Sequence, residues 1–144
     1  MKAISLWQPW ASLWCSERKV HETRHWLTSH RGLLLVHAAK RFEKNFEPGD
    51  PLRVILDDEY GGHWAMDLPT GSLIGIVRLI ACAPTSSMPT EHARSDDYQC
   101  GDFGEGRFAW RRAGFRLFPH PIPYRGAQGL FDMPDALVPE GIGP

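Results

Sequence analysis

The run "GSLIGIVRLIACA", residues 71–83, constrains the chain more than any other stretch. It carries one charge, Arg78, among apolar and β-branched residues, so it predicts a buried strand. A glycine inside such a strand has no side chain to pack, and Gly75 therefore marks a bulge or a close backbone approach. A second run, "RGLLLVHAAK" (31–40), opens on Gly32, stays apolar for four residues and ends at His37. It predicts a central strand buried on both faces. Two such strands require a sheet, and 144 residues suffice for one core around it.

Shorter segments fill in the rest. "KAISL" (2–6) alternates Ala3 and Ser5 with Ile4 and Leu6, a strand with one face buried. Pro9 stands where a helix N1 proline belongs, and Trp10, Leu13 and Trp14 follow at i, i+3, i+4. "VHETR" (20–24) predicts a strand with Val20, Glu22 and Arg24 on one face. The same periodicity puts Lys19, His21 and Thr23 on the other. "AKRFEKNF" (39–46) predicts a helix with Phe42 and Phe46 at i, i+4. Residues 48–71 read as a turn, a short element near Leu52–Leu56 and a long loop, and 84–106 as an acidic surface excursion with one helical turn. "RFAWRRAGFRLF" (107–118) gives one strand, or two joined at Ala113-Gly114. A proline-stiffened run then leads to a short strand around Gly129–Phe131. Five to six strands with a few short helices indicate an α+β fold, a small, partly closed β-barrel with helices at its side. One domain is expected over 1–135, followed by a Pro/Gly-rich tail, 136–144.

Several function classes drop out at this point. No apolar run approaches membrane-spanning length, and the N-terminus lacks a secretory pattern. Three cysteines, Cys15, Cys82 and Cys100, are odd in number and widely spaced, which predicts neither a disulfide framework nor a zinc ribbon but a reducing, cytoplasmic setting. No metal or cofactor is expected. His21 and His25 have helical ligand spacing, yet on a strand they would stand roughly 13 Å apart. "GDFGEG" (101–106) resembles a phosphate loop but neither follows a clear strand nor opens a helix. Oligomeric state is left open.

Net charge is −1, so there is no global basic signature. The distribution is uneven: residues 16–44 carry seven Lys/Arg against three acids, and 106–131 carry five arginines and no acid. If the two segments meet, they form a positive face able to steer an anion. Within the first lies "ERKVHETRHW" (17–26), which sets an amine, a carboxylate, a hydroxyl and a guanidinium within six residues. A cleft lysine with a lowered pKa can serve as a base beside a hydroxyl. Equally, Arg can fork a phosphate while Glu accepts from an exocyclic amine. The plainer alternative is a Glu22–Arg24 ion pair on a strand face.

"SLWQPWAS" (5–12), "K-x-x-E-T-R-x-W" (Lys19, Glu22, Thr23, Arg24, Trp26), "RGLLLVHAAK" and the late "P-I-P-Y-R-G-A-Q-G-L-F" (121–131) together resemble the ASCH domain family of the PUA-like superfamily. The resemblance covers most of the chain apart from two loops. It implies a β-barrel flanked by helices, with a cleft at the barrel mouth lined by the K-x-x-E-x-R segment, and RNA-binding or nucleotide-related function. One bacterial branch of similar fold removes acyl groups from N4-acylated cytidine with a lysine, a threonine three residues later and a glutamate on a later strand. Other members have been proposed to be ribonucleases. Here the lysine falls on Lys19, the threonine position holds Glu22 with Thr23 beside it, and the later strand offers Arg78 and no acid.

Three readings follow. In the first, the cleft binds RNA, single-stranded nucleic acid or a modified nucleoside. Trp7, Trp10, Trp26, Trp110 and Tyr124 would offer rings to bases, Gln8 and Gln128 would read base edges, the Arg-rich 106–131 segment would meet phosphates, and Pro9, Arg24, His37 and Lys40 would complete the wall. In the second, the protein is a ribonuclease or nucleoside amidohydrolase with Lys19 as base or oxyanion stabiliser, Glu22 as acid/base and Thr23 or His37 assisting. In the third it is a protein-interaction domain in RNA metabolism or transcription coactivation. Within the opening motif, Leu6, Trp10, Leu13 and Trp14 are assigned to packing, and Trp7 and Gln8 to the cleft wall.

Overall fold

The computed structural model describes residues 1–42, 46–138 and 140–141. Its frame is a six-stranded mixed sheet that curls into a half-barrel: β1 (Lys2–Leu6), β2 (His21–Arg24), β3 (Gly32–Ala38), β4 (Ser72–Pro84), β5 (Phe108–Pro123) and β6 (Leu130–Asp132). The order is β2-β5-β4-β3-β1-β6, with β1 parallel to β3 and every other pair antiparallel. The short helices are α1 (Trp10–Trp14), α2 (Asp50–Tyr60), α3 (Trp64–Asp67) and α4 (Asp96–Gln99).

The sheet is covered on both faces, as its apolar strands require. Ile4, Leu34, Val36, Ile74 and Val77 pack with Trp14 and Trp110 on one side, and Ala3, Leu35, Leu73 and Ile76 pack with Phe118 and Met133 on the other. A third cluster joins Leu13 to Leu52, Ile55 and Leu56 of α2 and to Trp64. Gly75 is a close approach, as its place in β4 suggests. A Cβ there would lie 2.7 Å from the Arg116 carbonyl and 2.8 Å from Cys15 Sγ, and the β4–β5 register shifts beside it. Gly129 leads into β6 at φ +67°, a conformation that L side chains rarely adopt.

The structure revises several local expectations. Residues 50–60 are not a short element in a loop but an eleven-residue helix, with Pro51 in its first turn and Gly61 at its C-terminal end. The helix expected over 39–46 does not form at Lys40–Phe42 or at Phe46, while 43–45 lie outside the described residues. Phe42 and Phe46 instead each bring a ring to 6.2 Å from that of Trp64, so tertiary contact explains their spacing. Residues 107–118 give no break at Ala113-Gly114; β5 runs on unbroken to Pro123. Pro9 is the N-cap residue of α1 and not its first residue. Among the described residues, no helix is long and apolar enough to cross a membrane.

Candidate functional site

The mouth of the half-barrel is a groove of three adjoining cavities. The first, about 450 Å³, is bounded by Trp7, Trp10, Lys19, Glu22, Thr23 and Arg24, together with Ser5, Gly101, Asp102 and Arg107. The second, about 600 Å³, is bounded by His37, Lys40, Tyr124, Arg125, Gly126 and Gln128 among others. The third, about 440 Å³, joins them through Trp7, Arg24, His25, Trp26 and Gln128. Ser5 borders all three.

The first cavity is built on charge. Lys19 precedes β2, where the chain is not yet a strand, so the alternation that separates it from Glu22 does not apply. Its Nζ turns in to Glu22 Oε1 at 3.1 Å, donates to the Cys100 carbonyl and lies 5.5 Å from the Trp10 ring centroid. Lys19 is 0% exposed. An ammonium buried this deeply persists only when paired and hydrogen-bonded, and both conditions hold. Arg24 Nη1 stands 3.6 Å from the other oxygen of Glu22, while its Nε is buried and finds no partner among the described residues. Arg107 donates to the carbonyls of Thr23 and Asp102, and the Asp102 N–H donates to Thr23 Oγ1.

A clamp holds the 96–107 loop against β2. Asp97 Oδ1 accepts the backbone N–H groups of Val20 and His21, and Oδ2 accepts from the His21 and His92 rings at 2.8 and 2.7 Å. Burial pushes this carboxyl up, but the hydrogen bonds from both rings and the His21 backbone overturn that and hold it well below the usual carboxylate range. The three ligand-capable atoms lie within 4.8 Å of one another, which makes this the group among the described residues able to take a metal ion. His21 thus partners His92 and Asp97, while His25 lies past the end of β2 and lines the third cavity. Burial pushes the Cys100 thiol up to about 11, so it is a poor candidate nucleophile beside Lys19.

Most of the residues expected from sequence do meet here, but three do not border the groove. Gln8 is 3% exposed, and its amide is spent on Ser12 and on the Pro69 carbonyl. Pro9 is buried beside it. Trp110 is a core ring, with Nε1 donating to the Trp26 carbonyl and Trp26 set edge-on at 4.6 Å. Trp7, 48% exposed, does stand at the mouth. Trp14 is core, with its indole N–H satisfied by the Val20 carbonyl. Trp10, assigned to packing, also faces the cleft beside Lys19. Ser5 and Asp102 are not among the expected residues, and Arg107 is expected only as one of the five arginines of 106–131. Ser5 carries the signal of lying one residue before the strand's end, opposite the apolar face; Asp102 carries none.

The basic segments meet only in part. Arg18 is drawn off by Asp58, Glu59 and Asp96, and Arg112 is buried, donating to the carbonyls of Trp14, Ser16 and Lys19. Arg24 and Arg107 remain at the first cavity, Lys40 and Arg125 at the second.

No curated protein sequence matches the chain. Among solved structures, two point mutants of ZmASCH from Zymomonas mobilis share the fold. A serine-to-alanine mutant is 17% identical, with a TM-score of 0.56, covering 94% of this chain and 89% of that one. A tyrosine-to-phenylalanine mutant is 16% identical, with a TM-score of 0.54, covering 94% and 91%. Identities this low speak for the fold alone, an α+β, PUA-like half-barrel. The ASCH domain family model matches residues 4–119, most of the chain, and the protein belongs to the ASCH domain family.

Proposed function

We propose that the groove binds an unpaired base of single-stranded RNA or of a modified nucleotide. The observation that carries this reading is the pairing of the exposed Trp7 ring with a recessed Glu22 carboxylate fixed between Lys19 and Arg24. A planar base stacked on Trp7 would offer an amine edge to Glu22, and stacking of this kind is worth about 1–3 kcal/mol per base. The buried, unpartnered Nε of Arg24 suits a phosphate or base acceptor, and Arg107, its Nε 3.6 Å from Asp102 Oδ2, stands at the rim. Trp26, Tyr124 and Gln128 extend the same surface along the adjoining cavities.

Binding is preferred over hydrolysis by Lys19, Glu22 and Thr23 for a specific reason. Every contact of Lys19 Nζ uses its N–H donors or its positive charge, none its lone pair, and Thr23 Oγ1 is already an acceptor for Asp102. Titrating a fluorescent single-stranded RNA should give binding that falls log-linearly with salt, with duplex RNA bound more weakly. Trp7→Ala should weaken binding by about 5- to 160-fold, the range that loss of one stacked base predicts. Equal affinity for the variant and wild type, or no RNA binding at low salt, overturns the reading.

A further inference from the structure

The second cavity contains a constellation that base binding does not use. Ser5 and His37 are register partners on the parallel strands β1 and β3, so their side chains stand side by side on one face. Ser5 Oγ and His37 Nδ1 are 2.9 Å apart, and His37 Nε2 is 2.6 Å from the Tyr124 carbonyl. A carbonyl can only accept, so Nε2 carries the ring proton and, in the neutral imidazole, Nδ1 offers its lone pair to the Ser5 hydroxyl. The tautomer is therefore fixed by the backbone. It is the one in which His37 can take a proton from Ser5.

Two further features single the pair out from an ordinary buried hydrogen bond. His37 is 1% exposed and its ring stands edge-on to Phe131 at 6.2 Å, so the base is held in one orientation, while Ser5 borders all three cavities. Gly126 lies directly over the bond. A Cβ there would fall 2.8 Å from Ser5 Oγ and 2.8 Å from the imidazole, so only glycine lets the backbone approach the pair this closely at the cavity wall. At the rim, Lys40 and Arg125 are exposed and form no ion pair with a carboxylate among the described residues.

We propose that Ser5 is a nucleophile activated by His37, and that the second cavity hydrolyses an acyl ester of an anionic alcohol. Ser5 Oγ attacks the acyl carbonyl while its proton passes to His37 Nδ1, leaving the Nε2–H on the Tyr124 carbonyl. The tetrahedral adduct expels the alkoxide, which takes the proton from Nδ1 and departs as the alcohol, its anionic group held by Lys40 and Arg125. Water then attacks the acyl-serine, gives its proton to Nδ1, and releases the carboxylic acid as the proton returns to Ser5. A carbonyl in place of a carboxylate behind the histidine stabilises the imidazolium less, so turnover is slower than in a Ser-His-Asp site. This proposal stands apart from the RNA reading, since neither the pair nor the acyl group requires a nucleotide.

The test is covalent labelling of the full chain with a fluorophosphonate, read by intact mass and peptide mapping. One adduct per chain is expected, on Ser5, with fluoride leaving and the hydroxyl proton passing through His37. p-Nitrophenyl acetate should give a burst of about one nitrophenolate per chain. Ser5→Ala should lose both signals, and His37→Gln should slow labelling by about 10²-fold or more, the range general bases supply. Should His37→Gln fail to fold, Ser5→Cys replaces it. Iodoacetamide should then alkylate the introduced thiol ahead of Cys15 and Cys100, whose thiols burial pushes up to about 12 and about 11. An adduct elsewhere, no adduct, a folded His37→Gln that labels at the wild-type rate, or an introduced thiol no faster than the buried ones overturns the proposal. RNA titration of the same protein succeeds or fails separately, so the two readings are told apart.

Discussion

The two ends of the groove reach a similar purpose, a fixed polar side chain at an open cavity, by different physics. At the Lys19 end, charges from β2 and from the 96–107 loop are drawn together across some eighty residues of sequence and locked by the Asp97 clamp. At the Ser5 end, two hydrogen-bonded side chains are neighbours because β1 and β3 run parallel in a register that pairs them. A site built on charge loses stability when one buried charge loses its partner. A site built on register needs only the sheet.

The sharpest way to break that contrast is Lys19→Ala. It leaves the buried Glu22 with Arg24, 3.6 Å away, as its remaining cation, and strips the Cys100 carbonyl of its donor. Removing one partner of a buried pair costs about 3–5 kcal/mol, which chemical denaturation would measure as a lowered midpoint. The double variant Lys19→Met/Glu22→Gln should recover only part of the loss, because it removes the buried carboxylate along with its ammonium but takes from Arg24 the carboxylate it faces. A single-variant loss below about 1 kcal/mol, the range of an exposed pair, would show that the charged end is not locked.

The same contrast decides what the sequence made legible. β3 and β4 can be read directly, because a run such as Leu33–Val36 or Leu73–Val77 has no plausible place outside a buried sheet. Gly75 is legible for the related reason that a strand interior gives glycine little else to do. The Lys19–Glu22 pair is not, because periodicity assigns faces only inside a strand and β2 begins at His21. Gln8 looks like a ligand-reading amide until Pro69, sixty-one residues away, arrives to accept from it. α2 is half legible: Leu52, Ile55 and Leu56 have helical spacing, but their acidic, glycine-flanked setting reads as loop until Leu13 and Trp64 cover them.

The clamp carries a pH dependence of its own. Asp97 is held below its ordinary carboxylate value in the folded protein, so the unfolded chain binds the proton more readily. The stabilisation it supplies is complete above the unfolded value, near pH 4, and is lost as pH falls from there toward the folded value. Asp97→Asn should lower stability at neutral pH and flatten that acid limb in urea titrations taken between about pH 3 and pH 7. A variant with the same acid limb as wild type would place the dependence on other carboxylates. Loosening of the 96–107 loop should accompany it, seen as faster amide exchange at Val20 and His21, the two N–H groups that Asp97 accepts.

Ser5→Ala is the mildest test and the one most specific to the Ser5 end. It removes a hydroxyl and leaves His37 Nδ1 without its donor, while the Nε2 bond to Tyr124 and the β1–β3 register persist. A buried acceptor left unsatisfied costs about 1–3 kcal/mol. Because Ser5 borders the cavities, water can reach the vacated position and bring the cost to the lower end, about 1 kcal/mol. Denaturation should therefore show a loss several-fold smaller than for Lys19→Ala. A loss as large as that of Lys19→Ala would mean that the Ser5–His37 bond holds β1 to β3, which would make it a structural fastening in a sheet that register alone does not secure.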